Sequence, residues 1–157
     1  MVHNVKLGKN MRSVSIVGIG ATPFFNGVQN ETYKGLTNGE LFGHAALDAM
    51  KDAGVEPRDV QYFFHGSANP HVLNNCITPN LQVADWFGMR GKGSLSHSEG
   101  CCTGYIALEE AVFAVASGAY DVVLTGCSEQ GTGMPDGNTP DHMRVPLTSE
   151  VLFPDLD

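Results

Sequence analysis

The sequence of 157 residues is poor in basic side chains, with 9 Lys and Arg against 17 Asp and Glu and a net charge of −8. A nucleic-acid partner is not expected, because such proteins need a basic surface to displace counterions from phosphates. No apolar run approaches the length of a bilayer, so no membrane segment is predicted. The first residues include Lys6, Lys9 and Arg12 but lack the apolar core of a signal peptide, so export is not expected.

Cysteine is also scarce, and its spacing shows neither a CxxC pair nor a disulfide framework: the four are Cys76, Cys101, Cys102 and Cys127. Free thiols in a reducing compartment are the simplest interpretation, and we expect a cytoplasmic protein. Apolar residues are plentiful at 42%, and there are 19 glycines. This composition predicts one ordinary domain with a buried core and with tight turns between its strands and helices.

Short apolar runs rich in β-branched residues alternate with longer segments of helical periodicity. The runs predict strands at residues 13–21, 60–64 and 121–126, of which the first is expected to be buried. Residues 94–98 are a candidate for a further strand that is too polar to assign from the pattern alone. Strands that alternate with helices are typical of an α/β fold with a mixed, mainly parallel sheet and right-handed crossovers.

Three helices are predicted between these strands. Thr37 and Glu40 have the spacing of a capping box and begin a helix that Gly54 ends. A short helix is expected near residues 81–89. The strongest segment is residues 101–117, whose apolar side chains leave so few polar positions that we expect a central helix buried on nearly all sides.

Residues 98–105, which read Ser-Glu-Gly-Cys-Cys-Thr-Gly-Tyr, lie where the candidate strand at 94–98 gives way to this helix. A thiol at a helix N-terminus feels the positive end of the macrodipole, which favours the nucleophilic thiolate. Gly100 and Gly104 would allow a sharp turn and the close approach of a substrate. The pattern fits a second interpretation equally well, in which Cys101 and Cys102 are small buried side chains that pack the helix start.

Several motifs occur together around these cysteines. Cys-Cys-Thr-Gly precedes an Ala-rich helix, and it is followed by Ser-Gly-Ala-Tyr-Asp-Val-Val-Leu at 117–124 and Gly-Cys-Ser-Glu at 126–129. With the opening at 14–24 and the helix at 45–55, they resemble the amino-terminal half of a thiolase. The most similar branch is the sterol-carrier-protein type. The resemblance spans residues 13–130.

The resemblance implies a thiolase-like half-fold and an acyl-CoA thiolase, an acyltransferase that cleaves or forms a 3-oxoacyl-CoA. The family's nucleophilic Cys matches Cys101, and Cys102 occupies a position that the family fills with Ser or Ala. The Cys101 thiolate would attack an acyl carbonyl and pass the acyl group to or from coenzyme A. The Cys101 backbone N–H would help to hold the oxyanion. No metal is expected.

The family's second half supplies a catalytic His, an Asn-containing motif and a second Cys, and this sequence has none of those motifs. Without that half, the apolar residues 106–116 would form a large exposed patch. We therefore expect an extension at 1–12, a thiolase-like domain at 13–130 and the start of a truncated loop domain at 131–157. The rest of the subunit or another chain would complete the site.

The resemblance also bears on partners and on alternative functions. It implies an acyl-CoA substrate and either a homodimer or a heteromer, with a zinc-ribbon/OB-fold companion protein as one candidate. A ketoacyl-synthase-type condensing enzyme is the nearest alternative, because it shares the half-fold and the nucleophilic Cys. A non-catalytic partner subunit of the same fold is another.

Other interpretations of the same residues stay open. A metal site would draw on His65, His71, Cys76, Cys101 and Cys102, but the gaps between them do not match zinc spacings. A dinucleotide loop at residues 18–22 would follow a strand, yet it lacks the third glycine.

The histidines and aromatic residues are further candidates for the functional site. His97 is near enough in sequence to form a catalytic pair with Cys101, and His65 is either a site residue or a satisfied loop histidine. Six aromatic residues are candidates for an acyl pocket or for the core: Phe24, Phe25, Phe63, Phe64, Trp86 and Phe87.

Overall fold

The computed structural model describes Gly8 and residues 10–23, 36–68, 78–84 and 86–129. The elements within these residues are, in chain order, α1 (Asn38–Ala53), β1 (Tyr62–Gly66), α2 (Pro79–Ala84), β2 (Gly93–His97), a 3₁₀ turn (Gly100–Cys102), α3 (Thr103–Ala116) and β3 (Val123–Cys127). No helix in this part of the chain is both long and apolar enough to cross a bilayer. The predicted loop-domain start at 131–157 lies outside the described residues.

The three described strands form one sheet in the order β2–β1–β3, and both strand pairs are parallel. Side chains alternate between the two faces of the sheet. Phe64 packs with Ala107 and Ala111 of α3 on one face. The other face joins Phe63 to residues of α1 and α2 in the larger core cluster. The α/β class with a parallel sheet is therefore confirmed.

Helix α1 begins and ends at the predicted signals. The Thr37 hydroxyl accepts from the Glu40 N–H at 3.2 Å, and the Glu40 carboxylate accepts from the Thr37 N–H at 2.7 Å. This reciprocal pairing satisfies two backbone donors that the first turn leaves without helical partners. Gly54 takes the left-handed conformation at φ 68° and donates to the Lys51 carbonyl.

The prediction of a buried strand at residues 13–21 is wrong. Apart from one isolated bridge, this segment forms no strand, and its large apolar side chains at 16, 17 and 19 are exposed. The segment instead lies against α1: the Ile19 N–H donates to Asp52 at 3.0 Å, and a Cβ added at Gly18 would lie 2.3 Å from the Ala49 carbonyl oxygen. A β-branched run becomes a strand only where a neighbouring strand offers an edge, and here a helix takes that place.

Helix α3 is less buried than predicted. Thr103, Ala107 and Ala111 are buried along one helical stripe, and the two alanines pack on the sheet with Phe64. Ala116 is buried separately at the C-terminal end of the helix. Large side chains outside that stripe are exposed, namely Tyr105 at 68%, Leu108 at 40% and Phe113 at 41%. The described residues therefore cover one side of this mostly apolar helix and leave large apolar side chains elsewhere on it exposed.

Arg12 closes the other end of α3. Its guanidinium donates to the Val115 carbonyl at 2.9 and 3.1 Å and to the Tyr120 carbonyl at 2.7 Å, and it pairs with Asp121 at 2.6 Å. The last carbonyls of a helix have no helical donors, and a cation there also complements the macrodipole. Its own N–H donates to the Ala116 carbonyl at 2.9 Å, so Arg12 connects the N-terminal segment to α3.

Candidate active site

The candidate site lies at the C-terminal ends of the parallel strands, where α3 begins. Cys101 lies in the 3₁₀ turn that leads into α3, and both it and Cys102 are exposed. Parallel α/β sheets bind ligands at this end, because the loops that follow the strands converge there. The interpretation of the two cysteines as buried packing residues is therefore wrong, and Cys101 is accessible to a substrate.

The turn that carries Cys101 is held by Thr103. The Thr103 Oγ1 atom accepts from the Glu99 N–H at 2.8 Å and donates to the Gly100 carbonyl at 2.7 Å. Gly100 itself has φ +55°, a left-handed conformation that favours glycine. The Cys102 N–H donates to the Glu99 carbonyl at 3.2 Å and completes the turn. Both residues that precede Cys101 are thus bonded to residues that follow it.

The start of α3 rests directly on the strand ends through two glycines. A Cβ added at Gly66 would lie 2.5 Å from Thr103 Cγ2, and one added at Gly104 would lie 2.8 Å from Cys127 Sγ. Contacts that short do not occur between real side chains, so both positions require the absence of a side chain. This close approach places the Cys101 turn next to the C-terminal ends of β1 and β3.

Cys127 differs chemically from the cysteines of the turn. Burial raises the pKa of its thiol, and the nearby Glu129 carboxylate raises that pKa further. Both effects disfavour the thiolate, because a charged sulfur would lose solvation and face a like charge. The Cys127 thiolate is disfavoured on both counts, although this residue, like Cys101 and Cys102, is exposed.

A network of polar side chains joins the strand ends beside the turn. The Glu129 carboxylate accepts from the Ala68 N–H at 2.6 Å and from the Ser67 hydroxyl at 3.2 Å. The Asn38 amide donates to Ser67 at 3.3 Å, and the Ser98 hydroxyl donates to the Ala68 carbonyl at 3.1 Å. These bonds tie together the residues after all three strands and the first turn of α1. Sequence reasoning missed this network, although polar residues directly after parallel strands are a signal for it.

His65 is a core residue rather than a loop histidine. It lies in β1, is fully buried and has its ring edge-on to Phe42, with the centroids 4.7 Å apart. Its Nε2 is 3.1 Å from the Ser128 hydroxyl. Burial lowers the pKa of His65 to about 4, so the ring is neutral at physiological pH. Its side chain points to the sheet face opposite α3 and away from the Cys101 turn.

His97 does lie on the α3 face, beside Gly66 in the sheet register. Its ring stacks on Phe64, with centroids 6.3 Å apart and planes 19° apart. The hydrogen bonds of the described residues do not include one between His97 and Cys101. The structure therefore places the two residues in one region without joining them as a catalytic pair.

The remaining interpretations are weaker in the structure. The described residues contain no group of three or more His, Cys, Asp and Glu side chains that could hold a metal ion, while His71 and Cys76 lie outside them. The glycines at 18–22 do not follow a strand, so the expected dinucleotide-loop context is missing.

Most of the described acyl-pocket candidates belong to the core instead. Phe63, Phe64 and Phe87 are buried, whereas Trp86 is half exposed. Phe24 and Phe25 lie outside the described residues.

Comparison with known proteins identifies several relatives. The family model "Thiolase, N-terminal domain" matches residues 14–151. The acetyl-CoA acetyltransferase of Methanocaldococcus jannaschii is 29% identical over 143 residues, which are 91% of this chain and 35% of that protein.

Two solved structures share the fold. An acetyl-CoA acetyltransferase from Syntrophomonas wolfei has a TM-score of 0.62 and 22% identity, over 70% of this chain and 27% of that one. The 3-oxoacyl-[acyl-carrier-protein] synthase III from Aquifex aeolicus VF5 has a TM-score of 0.56 and 21% identity, over 61% of this chain and 30% of that one.

These likenesses differ in what they establish. The two structural matches are too distant in sequence to show more than the fold, which is the thiolase-like α/β arrangement. The family match covers most of the chain. The chain spans about a third of the length of the Methanocaldococcus protein, at 35%.

Proposed function

Because the chain belongs to the thiolase family, we propose that it contributes the nucleophile to an acyl-CoA acyltransferase site and that Cys101 is that nucleophile. One observation carries the proposal: Cys101 is exposed in a tightly held turn at the start of α3, above the ends of the parallel strands. Cys127 is a poor rival, because burial and Glu129 both raise the pKa of its thiol.

The proposed reaction is a two-step acyl transfer from a 3-oxoacyl-CoA. The Cys101 thiolate attacks the 3-oxo carbonyl carbon and forms a carbon–sulfur bond. The bond between the second and third acyl carbons then breaks, and its electron pair leaves with the second carbon, which takes a proton to give acetyl-CoA. The thiol of a second coenzyme A attacks the acyl-Cys101 carbonyl, releases a shortened acyl-CoA and restores the thiolate. Synthesis is the same sequence in reverse.

The groups that move protons in this scheme would come from outside the described residues. His65 is unsuited to the task, because it is buried on the far face of the sheet and its pKa is lowered to about 4. We propose that the rest of the subunit or another chain supplies the base and the second cysteine. The exposed side of α3, with Tyr105, Leu108 and Phe113, supports this view, because soluble monomers rarely expose such a patch.

Finer points of the proposal rest on the family resemblance. They are coenzyme A as co-substrate, a cytoplasmic location, a homodimer or heteromer, the zinc-ribbon/OB-fold companion and the sterol-carrier-type branch. The domain limits at 1–12, 13–130 and 131–157 belong with them. The ketosynthase alternative gains no specific support, since the synthase III structure is 21% identical and shows the fold alone.

The nucleophile can be tested by alkylation. The chain would be treated with a limiting amount of iodoacetamide and its cysteine peptides mapped by tandem mass spectrometry. All three described cysteines are exposed, so we expect Cys101 to be modified before Cys127 because the pKa of the Cys127 thiol is raised. Cys101→Ala and Cys102→Ala variants assign the reactive sulfur. If Cys101 stayed unmodified while Cys76 or Cys127 reacted, the proposal would be wrong.

A further inference from the structure

Thr103 occupies an unusual place between the reactive turn and the sheet. Thr103 is buried, with 3% of its surface exposed, although Cys101 and Cys102 directly before it are exposed. The hydroxyl faces the turn and bonds to Glu99 and Gly100, whereas the methyl group Cγ2 faces Gly66 at the end of β1. One side chain therefore makes a polar contact to the turn and an apolar contact to the sheet.

We propose that Thr103 is a positioning residue that orients the Cys101 thiol and backbone N–H for attack. The hydroxyl acts on Cys101 through the two peptide groups that precede it, since it accepts from the Glu99 N–H and donates to the Gly100 carbonyl. The proposal rests on the proposed function, in which Cys101 is the nucleophile. Thr103 itself does not touch the substrate.

The physical reason is the freedom that this turn would otherwise have. Gly100 has φ +55°, and a glycine adopts many backbone conformations at little energetic cost. A free Gly100 peptide would let Cys101 sample many directions, and misplacement by about 1 Å lowers catalytic rates about a hundredfold. The Cys102 and Thr103 N–H groups bond to the Glu99 and Gly100 carbonyls. The Thr103 hydroxyl restricts the turn further with one donated and one accepted bond, both at or below 2.8 Å. The methyl contact with Gly66 fixes the hydroxyl in turn.

Two comparisons separate the role of the hydroxyl from that of the methyl group: wild type with Thr103→Val, and Thr103→Ser with Thr103→Ala. Thr103→Val keeps the shape and the contact with Gly66 but loses both hydrogen bonds. Thr103→Ser keeps the hydroxyl and loses Cγ2. Thr103→Ala, compared with Thr103→Ser, again differs by the hydroxyl alone. This second pair gives the same comparison if Thr103→Val does not fold, which circular dichroism would show.

The readout is the ratio of alkylation rates at Cys101 and Cys102, measured with iodoacetamide across a pH series on the full chain. General loosening of the turn would speed or slow both cysteines together, so the ratio isolates the orientation of Cys101. We expect the ratio to fall about fivefold in Thr103→Val and Thr103→Ala, as suits the loss of a hydrogen bond. Thr103→Ser should keep the wild-type ratio and pH–rate profile.

The outcomes separate the two proposals. If wild-type Cys101 is not alkylated at any pH, the proposed function fails before Thr103 is tested. If wild-type Cys101 reacts and Thr103→Val or Thr103→Ala reacts with the same ratio, the positioning role alone is wrong. A ratio that falls as far in Thr103→Ser as in Thr103→Ala would also overturn that role, because it would show that the methyl group rather than the hydroxyl matters.

Discussion

Single residues decide how closely α3 approaches the sheet. Gly66 faces the Thr103 methyl group, and Gly104 faces the Cys127 sulfur, at separations that leave no space for a Cβ. Neither contact could be foreseen from the sequence, which predicted a turn and substrate approach at Gly104 and nothing specific at Gly66. Their φ values are not in the left-handed region, and what each position requires is the absence of a side chain.

Substitution of Gly66 by Ala should lower the free energy of unfolding by about 1–3 kcal/mol, the usual range for overpacking. The added Cβ would lie 2.5 Å from Thr103 Cγ2, and its other near contacts are longer than 3 Å. Gly66→Ala should therefore be better tolerated together with Thr103→Ser, which removes that methyl group. Urea unfolding of the two single variants and the double variant gives the coupling. Equal costs of Gly66→Ala in both backgrounds would show that Cγ2 is not the obstacle.

His65 should make stability depend on pH. Its pKa is about 4 in the folded chain and about 6.5 when unfolded, because burial disfavours the charged ring. Between these values the unfolded state binds the proton and the folded state does not, so stability is full above pH 6.5 and falls as the pH drops toward 4. The loss attributable to His65 is about 3 kcal/mol over this range.

The check is urea unfolding at several pH values on wild type and two histidine variants. His65→Gln should flatten the slope of unfolding free energy against pH between 6.5 and 4. His44→Gln changes an exposed histidine of α1 and should leave that slope in place. An unchanged slope in His65→Gln would contradict the assignment.

At the scale of the elements, α3 is fixed at its start by its own first residue and at its end by a side chain from a distant part of the chain. Thr103 holds the turn at its start, and Arg12 donates to the carbonyls at its end. Helix α1, by contrast, carries its own signals in the capping box and Gly54. Local signals of this kind can be recognised in a sequence, whereas the contact of Arg12 with Val115, 103 residues away, cannot.

Arg12→Met should lower the free energy of unfolding by about 1–2 kcal/mol, because it removes the guanidinium donors from the Tyr120 and Val115 carbonyls and leaves Val115 with the Gly118 N–H. Arg58→Met is the matched control, since Arg58 makes an exposed pair with Glu56 at 3.0 Å. Such surface pairs contribute less than about 1 kcal/mol. Equal effects of the two substitutions in thermal or urea unfolding would show that Arg12 does not cap α3.

The elements also show how far the sequence could be interpreted. Helix α1, strands β1 and β3 and the start of α3 could be predicted, because caps, apolar runs and glycines act locally. Strand β2 is too polar to be assigned from its own pattern. The segment at 13–21 could not be predicted either, since strand formation depends on a neighbouring edge that the pattern does not reveal. For the network around Glu129, polar residues after the strands are a signal, but the pairing of those residues depends on distant strand ends that meet in the fold.

For the whole molecule, the main feature is one side of α3 that the described residues leave uncovered. Tyr105, Leu108 and Phe113 are exposed, while Ala107 and Ala111 pack on the sheet. The chain spans 35% of its Methanocaldococcus relative, so most of that protein's length has no counterpart here. This agrees with the proposal that further polypeptide completes the site.

Two substitutions on α3 should separate its covered and uncovered sides. In the chain alone, Leu108→Gln should change the free energy of unfolding by less than about 0.5–1 kcal/mol, because Leu108 is 40% exposed. Ala111→Gln should cost about 3 kcal/mol or more, since it forces a larger polar side chain into a site with 3% exposure. Similar costs at both positions would mean that the outer side of α3 is covered within this chain.

The most direct test of Cys101 as an acyl-accepting nucleophile uses p-nitrophenyl acetate. Its nitrophenolate leaves without a catalytic acid, so groups outside the chain are not needed. The thiolate takes the acetyl group, and tandem mass spectrometry locates it before and after coenzyme A is added. We predict an acetyl group on Cys101 that coenzyme A removes as acetyl-CoA, that Cys102→Ala retains and that Cys101→Ala lacks. Acetylation that persists at the same rate in Cys101→Ala, or an acetyl group found on Cys102 instead, would contradict the assignment.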